Sequence, residues 1–279
     1  MTNSQREKAE AFRELHSRNR PLILPNAWDV PSARIFEDEG FPAVATSSAG
    51  LMVSLGYPDG EVIDREDLLA AIRRISKALT VPLSADIVAG FGETPEAVVD
   101  TVKATINAGA IGINIEDFVH ATKLLHSIPD QVEKLREIKK LGSTMAIPLV
   151  INARTDALRF APGDNDQRLQ EAIRRAIAYR DAGADCVYPM GLTDAPSIKT
   201  FVEALAFPVN VMVRKGLPPI GELQQLGVAR VSFGPAASYA VMGFLKRASR
   251  EVLENGTYAS LVDGAISFDE LNRLALPKS

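Results

Sequence analysis

One phrase recurs four times along this chain and limits its possible folds more than any other feature. EDEGFPAVAT, INAGAIGINI, RDAGADCVYP and QQLGVARVSF each carry an amphipathic stretch through a glycine into a short apolar run. A glycine at that place suits the left-handed residue that ends a helix, and Gly40, Gly109, Gly183 and Gly227 occupy it. Eight short apolar, β-branched runs fall at 22–24, 43–46, 81–85, 111–115, 147–151, 186–188, 209–212 and 229–233. Continuous apolar runs of this kind are what strands buried on both faces require. Segments of helical spacing lie between them, among others 65–79, 95–108, 167–182 and 198–206. Asp29, Asp64, Thr94 and Asp166 stand where N-caps belong, and Pro95 takes the first helical position. Strands separated by helices make a parallel sheet, and eight such units predict closure into a barrel. The fold class is therefore α/β, a (β/α)8 TIM barrel. No linker divides it, so the expectation is one domain over 1–279, with a C-terminal helical extension whose end, 258–279, exceeds what a barrel needs. Such a tail packs on its own barrel or reaches a neighbouring subunit.

Composition narrows the partners. The chain has 279 residues, 46% apolar and 24% charged, ordinary for a globular protein able to bury a large core. A net charge of −4 and a pI near 5.6 argue against nucleic acid or an acidic membrane surface, either of which calls for a basic face. The lone cysteine, Cys186, excludes an intrachain disulfide and a cysteine-rich zinc site, and its place inside an apolar run makes it an inert core thiol. No apolar stretch approaches the roughly 20 residues that span a bilayer. The first twenty residues are charged and lack the apolar centre of a secretory signal, so a cytoplasmic location is expected.

Three of the runs lead into charged groups at the same relative place: Asp86, Glu116 and Arg154. In a parallel barrel the C-terminal strand ends converge on one mouth, so two carboxylates and a guanidinium there would serve a divalent cation and an anionic substrate. Asp86 opens a glycine-bearing turn, and a turn-bonding aspartate is its other reading. Glu116 and Asp117 are adjacent, and strand alternation sends one to the barrel axis and the other to the helix layer; Glu116 is expected at the mouth. Oxygen donors such as Asp86 and Glu116 suit Mg²⁺ or Mn²⁺. The Arg154 fork matches a carboxylate or phosphonate, or pairs internally with Asp156 or Glu116. Ser47, Ser48 and Ala49 follow the second run, where hydroxyls and amides could hold a substrate carboxylate or merely form a polar turn. Asp59, by its Pro-Asp-Gly context alone, reads as a turn residue. His120 follows the Glu116 run and is a candidate proton carrier. No Walker, Rossmann or Ser-His-Asp pattern is present.

Taken together, PNAWDVPSARIFEDEGFPAVATSSAG, LGYPDG, SADIVAGFG, GINIED, INARTDA, GADCVYP, PVNVM and GVARVSFGP resemble the isocitrate lyase/phosphoenolpyruvate mutase superfamily over nearly the whole chain. The GYPDG and NARTDA segments are similar to its phosphonomutase-like, oxaloacetate-handling branch. The resemblance implies a barrel, usually a homotetramer, with helices from 236–279 in the oligomer contacts. It implies Mg²⁺-dependent lyase chemistry on a small α-keto or 2-hydroxy carboxylate through an enolate-like intermediate. By the same resemblance Asp86 ligates the metal directly, Glu116 and Asp59 touch its waters, Ser47, Ser48 and Ala49 hold a substrate carboxylate, and Arg154 and Asn210 contact substrate.

The departures are as informative. The superfamily's second acid, two residues after Asp86, is Val88 here. The lyases' Lys-Lys-Cys-Gly-His segment is replaced by Val119-His120-Ala121-Thr122-Lys123, a glutamate by Met190, and a late arginine by Ala240. Classical isocitrate lyase activity is not expected. Decarboxylation or C–C cleavage of an oxaloacetate-like acid leads; phosphonate P–C chemistry and a catalytically weakened keto-acid-binding barrel are the alternatives.

Overall fold

The computed structural model describes residues 3–16 and 20–275. In chain order the elements are α1 (Asn3–Leu15), β1 (Leu22–Leu24), β2 (Asn26–Ala27), α2 (Val30–Asp38), β3 (Val44–Thr46), α3 (Ser48–Ser54), α4 (Arg65–Ala78), β4 (Leu83–Asp86) and α5 (Pro95–Asn107). Then come β5 (Gly112–Glu116), the hairpin β6 (Phe118–Val119) and β7 (Leu124–Leu125), α6 (Ile128–Thr144), β8 (Val150–Thr155), α7 (Ala157–Phe160), α8 (Asn165–Asp181) and β9 (Cys186–Pro189). The chain continues through α9 (Ala195–Leu205), β10 (Asn210–Met212), α10 (Ile220–Gln225), β11 (Arg230–Ser232), α11 (Ala236–Arg250), a π-helical turn (Glu251–Asn255), α12 (Ala259–Val262) and α13 (Phe268–Ala275).

Strands β2-β3-β4-β5-β8-β9 pair in parallel in that order, as do β1-β11-β10. β1 and β2 are one strand interrupted at Pro25, which has no N–H to give a ladder, although its carbonyl still accepts from Ala45 N at 2.8 Å. At the other seam Val187 of β9 bridges Val209 in parallel. The ring of eight strands therefore closes as a barrel.

The expected helix ends hold where local chemistry governs them. Asp29, Asp64 and Thr94 cap α2, α4 and α5. Asp166 does not cap α8: Asp164 does, because its carboxylate accepts from Gln167 N while Gln167 Oε1 accepts from Asp164 N. The segment after the second strand is also not a loop. Ser47 is the N-cap of α3, its hydroxyl accepting from Gly50 N, and Ser48 and Ala49 are in the first helical turn.

Strand alternation divides the barrel into two regions. Ile113, Ile115, Ile151, Ala153, Val187, Val211 and Val231 are fully buried in the apolar layer between strands and helices. Each of these valines and isoleucines contributes roughly 1.5–3 kcal/mol. The alternate positions Ser84, Asn114, Asn152, Asn210 and Arg230 line a cavity inside the barrel. α1 closes the opposite end: Arg13 donates to Leu149 O, just before β8, and Gln5 donates to Ile106 O in the last turn of α5. Gly112 is required by this plug, since a Cβ there would lie 2.7 Å from Phe12 Cε1. The C-terminal extension returns to its own barrel, where Arg34 Nε donates to Leu274 O at 2.9 Å and Arg273 pairs with Asp38 at 2.7 Å. Residues 276–279 of the extension lie outside the described residues.

Candidate active site

Asp86, Glu116 and Arg154 are strand residues, not the residues after strands, and parallel register aligns them. Asp86 is opposite Asn114, and Glu116 is opposite Arg154. Asp86 lies on the cavity wall. Its Oδ2 accepts from Ser48 Oγ at 2.7 Å and Ser48 N at 3.2 Å, and its Oδ1 accepts from Asn114 Nδ2 at 3.0 Å. Those bonds aim the carboxylate, but among the described residues no cation pairs with it.

Arg154 is held from two sides. Its Nε and Nη2 donate to Asp156 Oδ2 and Oδ1 at 2.7 and 2.9 Å, a bidentate pair, and its Nη1 meets Glu116 Oε2 at 2.7 Å. Burial alone would lower its pKa, but Glu116 and Asp156 more than offset that and hold it well above the usual arginine value. Both internal pairings anticipated for Arg154 are thus present, and the side chain still lines the cavity. His120 Nε2 lies 2.6 Å from Glu116 Oε1. That hydrogen bond raises the His120 pKa, while burial raises that of Glu116. Burial and the hydrogen bond thus each favour the protonated form of one member of the pair.

Asp117 points the other way, into the layer outside the ring. Its oxygens accept from Thr155 Oγ1 (2.7 Å), Asp156 N (2.9 Å), Arg175 Nη1 (3.0 Å) and Tyr179 OH (2.7 Å). It fixes the turn that carries Asp156, which in turn orients Arg154.

Ser47, Ser48, Ala49 and Asn210 also line the cavity, and the Asn210 amide is hydrogen-bonded with Ser232 Oγ at 3.1 Å. Asp59 stands at the rim, exposed on one side. Lost hydration first and the charge of Asp86 second raise its pKa. His120 is not on this wall; it lines the adjoining cleft that shares Asp59. Val88 adopts a left-handed φ of +54° and is buried. Cys186 is buried with its thiol pushed up to about 12 by burial, hence unreactive.

Several wall residues were not singled out from sequence: Asn26, Asn114, Asn152, Tyr188, Met212 and Arg230. Tyr188 stacks near Arg154, whose Cζ is 5.8 Å from the ring centroid, and its hydroxyl contacts the sulfurs of Met190 and Met212. For Arg230 a signal existed, a charged residue inside the apolar run 229–233. The cavity is about 230 Å³, room for a metabolite of a few carbons.

A closed parallel barrel whose polar cavity opens among strand C-termini is the architecture of a barrel enzyme. Residues 12–253 match the phosphoenolpyruvate phosphomutase family model, and the chain belongs to the phosphoenolpyruvate mutase/isocitrate lyase superfamily. It is 31% identical to 2-methylisocitrate lyase of Escherichia coli (strain K12) over 272 residues, 94% of this chain and 90% of that one. Among solved structures, a Burkholderia cenocepacia J2315 protein described only at the level of lyase/mutase is 37% identical, with TM-score 0.92 over 99% of both chains. Phosphonopyruvate hydrolase, solved with oxalate and Mg²⁺, is 26% identical with TM-score 0.84, covering 96% of this chain and 94% of that one.

Proposed function

We propose that this enzyme is a metal-assisted lyase or decarboxylase acting on a small α-keto or 2-hydroxy carboxylate of oxaloacetate type through an enolate-like intermediate. The observation that carries the reading is the pairing of Asp86 and Arg154 on one cavity: a carboxylate aimed inward with no ion pair, and a guanidinium locked by two carboxylates. The donor set fits a hard divalent cation, Mg²⁺ or Mn²⁺. Asp86 and Asp59 face the same cavity, neither forms an ion pair among the described residues, and the charge of Asp86 raises the pKa of Asp59. No three His, Cys, Asp or Glu side chains converge tightly among the described residues. A cation there would be held directly by Asp86 and otherwise through water and substrate, with Asp59 and Glu116 nearby, as Mg²⁺ commonly is.

A divalent cation there would supply Lewis-acid polarisation of a keto oxygen. The chain's own residues do the rest. Arg154 and the Ser47, Ser48 and Ala49 turn orient the substrate carboxylates, which fixes the geometry of bond cleavage. Asn210 contacts substrate from the opposite wall. Tyr188, Met190 and Met212 exclude water from that side. The His120–Glu116 pair holds a proton at its 2.6 Å hydrogen bond, next to the rim.

The test is pyruvate formation from oxaloacetate with and without Mg²⁺, comparing Asp86→Ala with the wild type. Equal rates in both proteins would sink the reading. A second reading, P–C bond mutase or hydrolase chemistry at the same site, is favoured by the similarity to phosphonopyruvate hydrolase, and ³¹P NMR with phosphonopyruvate separates the two. A third, a keto-acid-binding barrel weakened by Val88, Met190 and Ala240, predicts calorimetric binding of oxaloacetate with no turnover under any metal. The exposed apolar residues of α11 and its continuation, Met242, Phe244, Leu245 and Leu253, support a homo-oligomer, dimer or tetramer, with 236–279 in its contacts. A cytoplasmic setting is consistent with the single buried thiol.

A further inference from the structure

We propose that Arg230 anchors a second anionic group of the substrate inside the barrel, so that the site selects diacids over monoacids. The proposal rests on the cavity being the substrate site and deepens that reading by naming the residue that holds the second acid group. Arg230 opens β11, opposite Asn210 and Leu22 in register, and is 2% exposed. Among the described residues its Nε and Nη1 have no hydrogen-bond partner, and no carboxylate forms an ion pair with it. A guanidinium is charged at any accessible pH and carries five donors. Buried charges are ordinarily paired, and buried polar atoms are ordinarily satisfied. Arg230 departs from both habits on the wall of the enzyme's cavity.

Its surroundings supply no counter-charge at contact. Towards the closed end of the barrel is His16, kept neutral with a pKa lowered to about 4 by burial and then by Arg230 itself. Beside it are the unionised Cys186 thiol and Tyr188 phenol. The carboxylate that acts on it is Asp86, by Coulomb attraction across the cavity without contact. A cation bound at Asp86 would cancel even that, leaving Arg230 with an unbalanced charge. Two further wall atoms, Ser84 Oγ and Asn152 Oδ1, are also without partners. Water could occupy a cavity of this size and solvate these atoms, but water brings no charge. A carboxylate or phosphonate does, and it matches the planar fork of Arg230. Arg154 at the mouth and Arg230 deeper in would then receive the two ends of one small dianion.

The stable 2-hydroxy acids malate and lactate, differing in the second carboxylate, are suitable probes by titration calorimetry with Mg²⁺ present. The wild type is expected to bind malate about tenfold or more tightly than lactate, the scale of one charge-assisted contact. In Arg230→Gln that ratio collapses towards one while lactate affinity stays within about twofold. Arg230→Met carries the same test should the glutamine variant fail to fold. An unchanged malate-to-lactate ratio in the variant overturns the role of Arg230 and leaves the cavity reading intact. Failure of the wild type to bind either acid overturns the cavity reading and this proposal with it.

Discussion

Asp117 and Arg230 are both almost fully buried charges on either side of the strand ring, and their environments are opposites. Asp117 receives four hydrogen bonds, from Thr155, the Asp156 amide, Arg175 and Tyr179. Arg230 leaves two of its nitrogens without any among the described residues. A saturated buried charge organises its neighbours and rigidifies the turn it sits in; an unsaturated one stores interaction capacity for a ligand. Asp117 lies outside the ring, where the protein supplies every partner. Arg230 lies inside it, where the partners run out.

The comparison can be broken most sharply at Asp117. Asp117→Ala is expected to cost about 3–5 kcal/mol by chemical denaturation, the usual penalty for breaking a buried charge network. A cost near zero would remove the distinction between saturated and unsaturated charges. The next effect is acid sensitivity on the Arg230 side. The His16 pKa is about 4 in the folded protein against about 6.5 unfolded, so the unfolded state binds the extra proton. Its neutral form costs nothing above about pH 6.5, and stability is lost as pH falls through the window from about 6.5 to 4, to a limit of roughly 3 kcal/mol. His16→Gln should flatten that slope in thermal melts from pH 7 to pH 4, and an unchanged slope would place the acid sensitivity elsewhere. Arg154→Lys keeps the charge and loses the bidentate hold of Asp156. A loss of about 100-fold in kcat/KM, near 2.7 kcal/mol, is expected in an oxaloacetate assay. Smallest is Val88→Asp, which puts an acid two residues after Asp86. It should tighten Mg²⁺ binding by about tenfold in calorimetry. No change would mean that Val88 is not what limits the metal site.

Local features of the fold were legible in the sequence because they depend on neighbours within one helical turn. The glycines ending α2, α5, α8 and α10 all take left-handed φ, from 81° to 107°. The capping aspartate of α8 was placed two residues late, since Asp164 and Asp166 differ only in which one reaches Gln167. The fifth apolar run, 147–151, is more seriously offset from its strand, since β8 is Val150–Thr155. The ladders to β5 and β9 and the bond from Thr155 to Asp117 hold its polar end in the sheet. Of the site, Asp86, Glu116 and Arg154 were visible as charges ending apolar runs. Asn114 inside the run 111–115 and Asn152 just after the run 147–151 gave no such signal, because an inward-facing uncharged polar residue in a barrel interrupts the pattern for only one position. Arg230, by contrast, was a visible charge inside the run 229–233.

What the sequence determined by itself, then, is the succession of strands and helices, the superfamily, and three charges at strand ends that a barrel brings to one mouth. Tertiary structure decided which charges are satisfied. Asp117 finds Arg175 and Tyr179 from 58 and 62 residues away, whereas among the described residues Arg230 Nε and Nη1 find no partner. Whether a buried charge is paired depends on register and ring closure, and these bring together side chains that no local spacing connects.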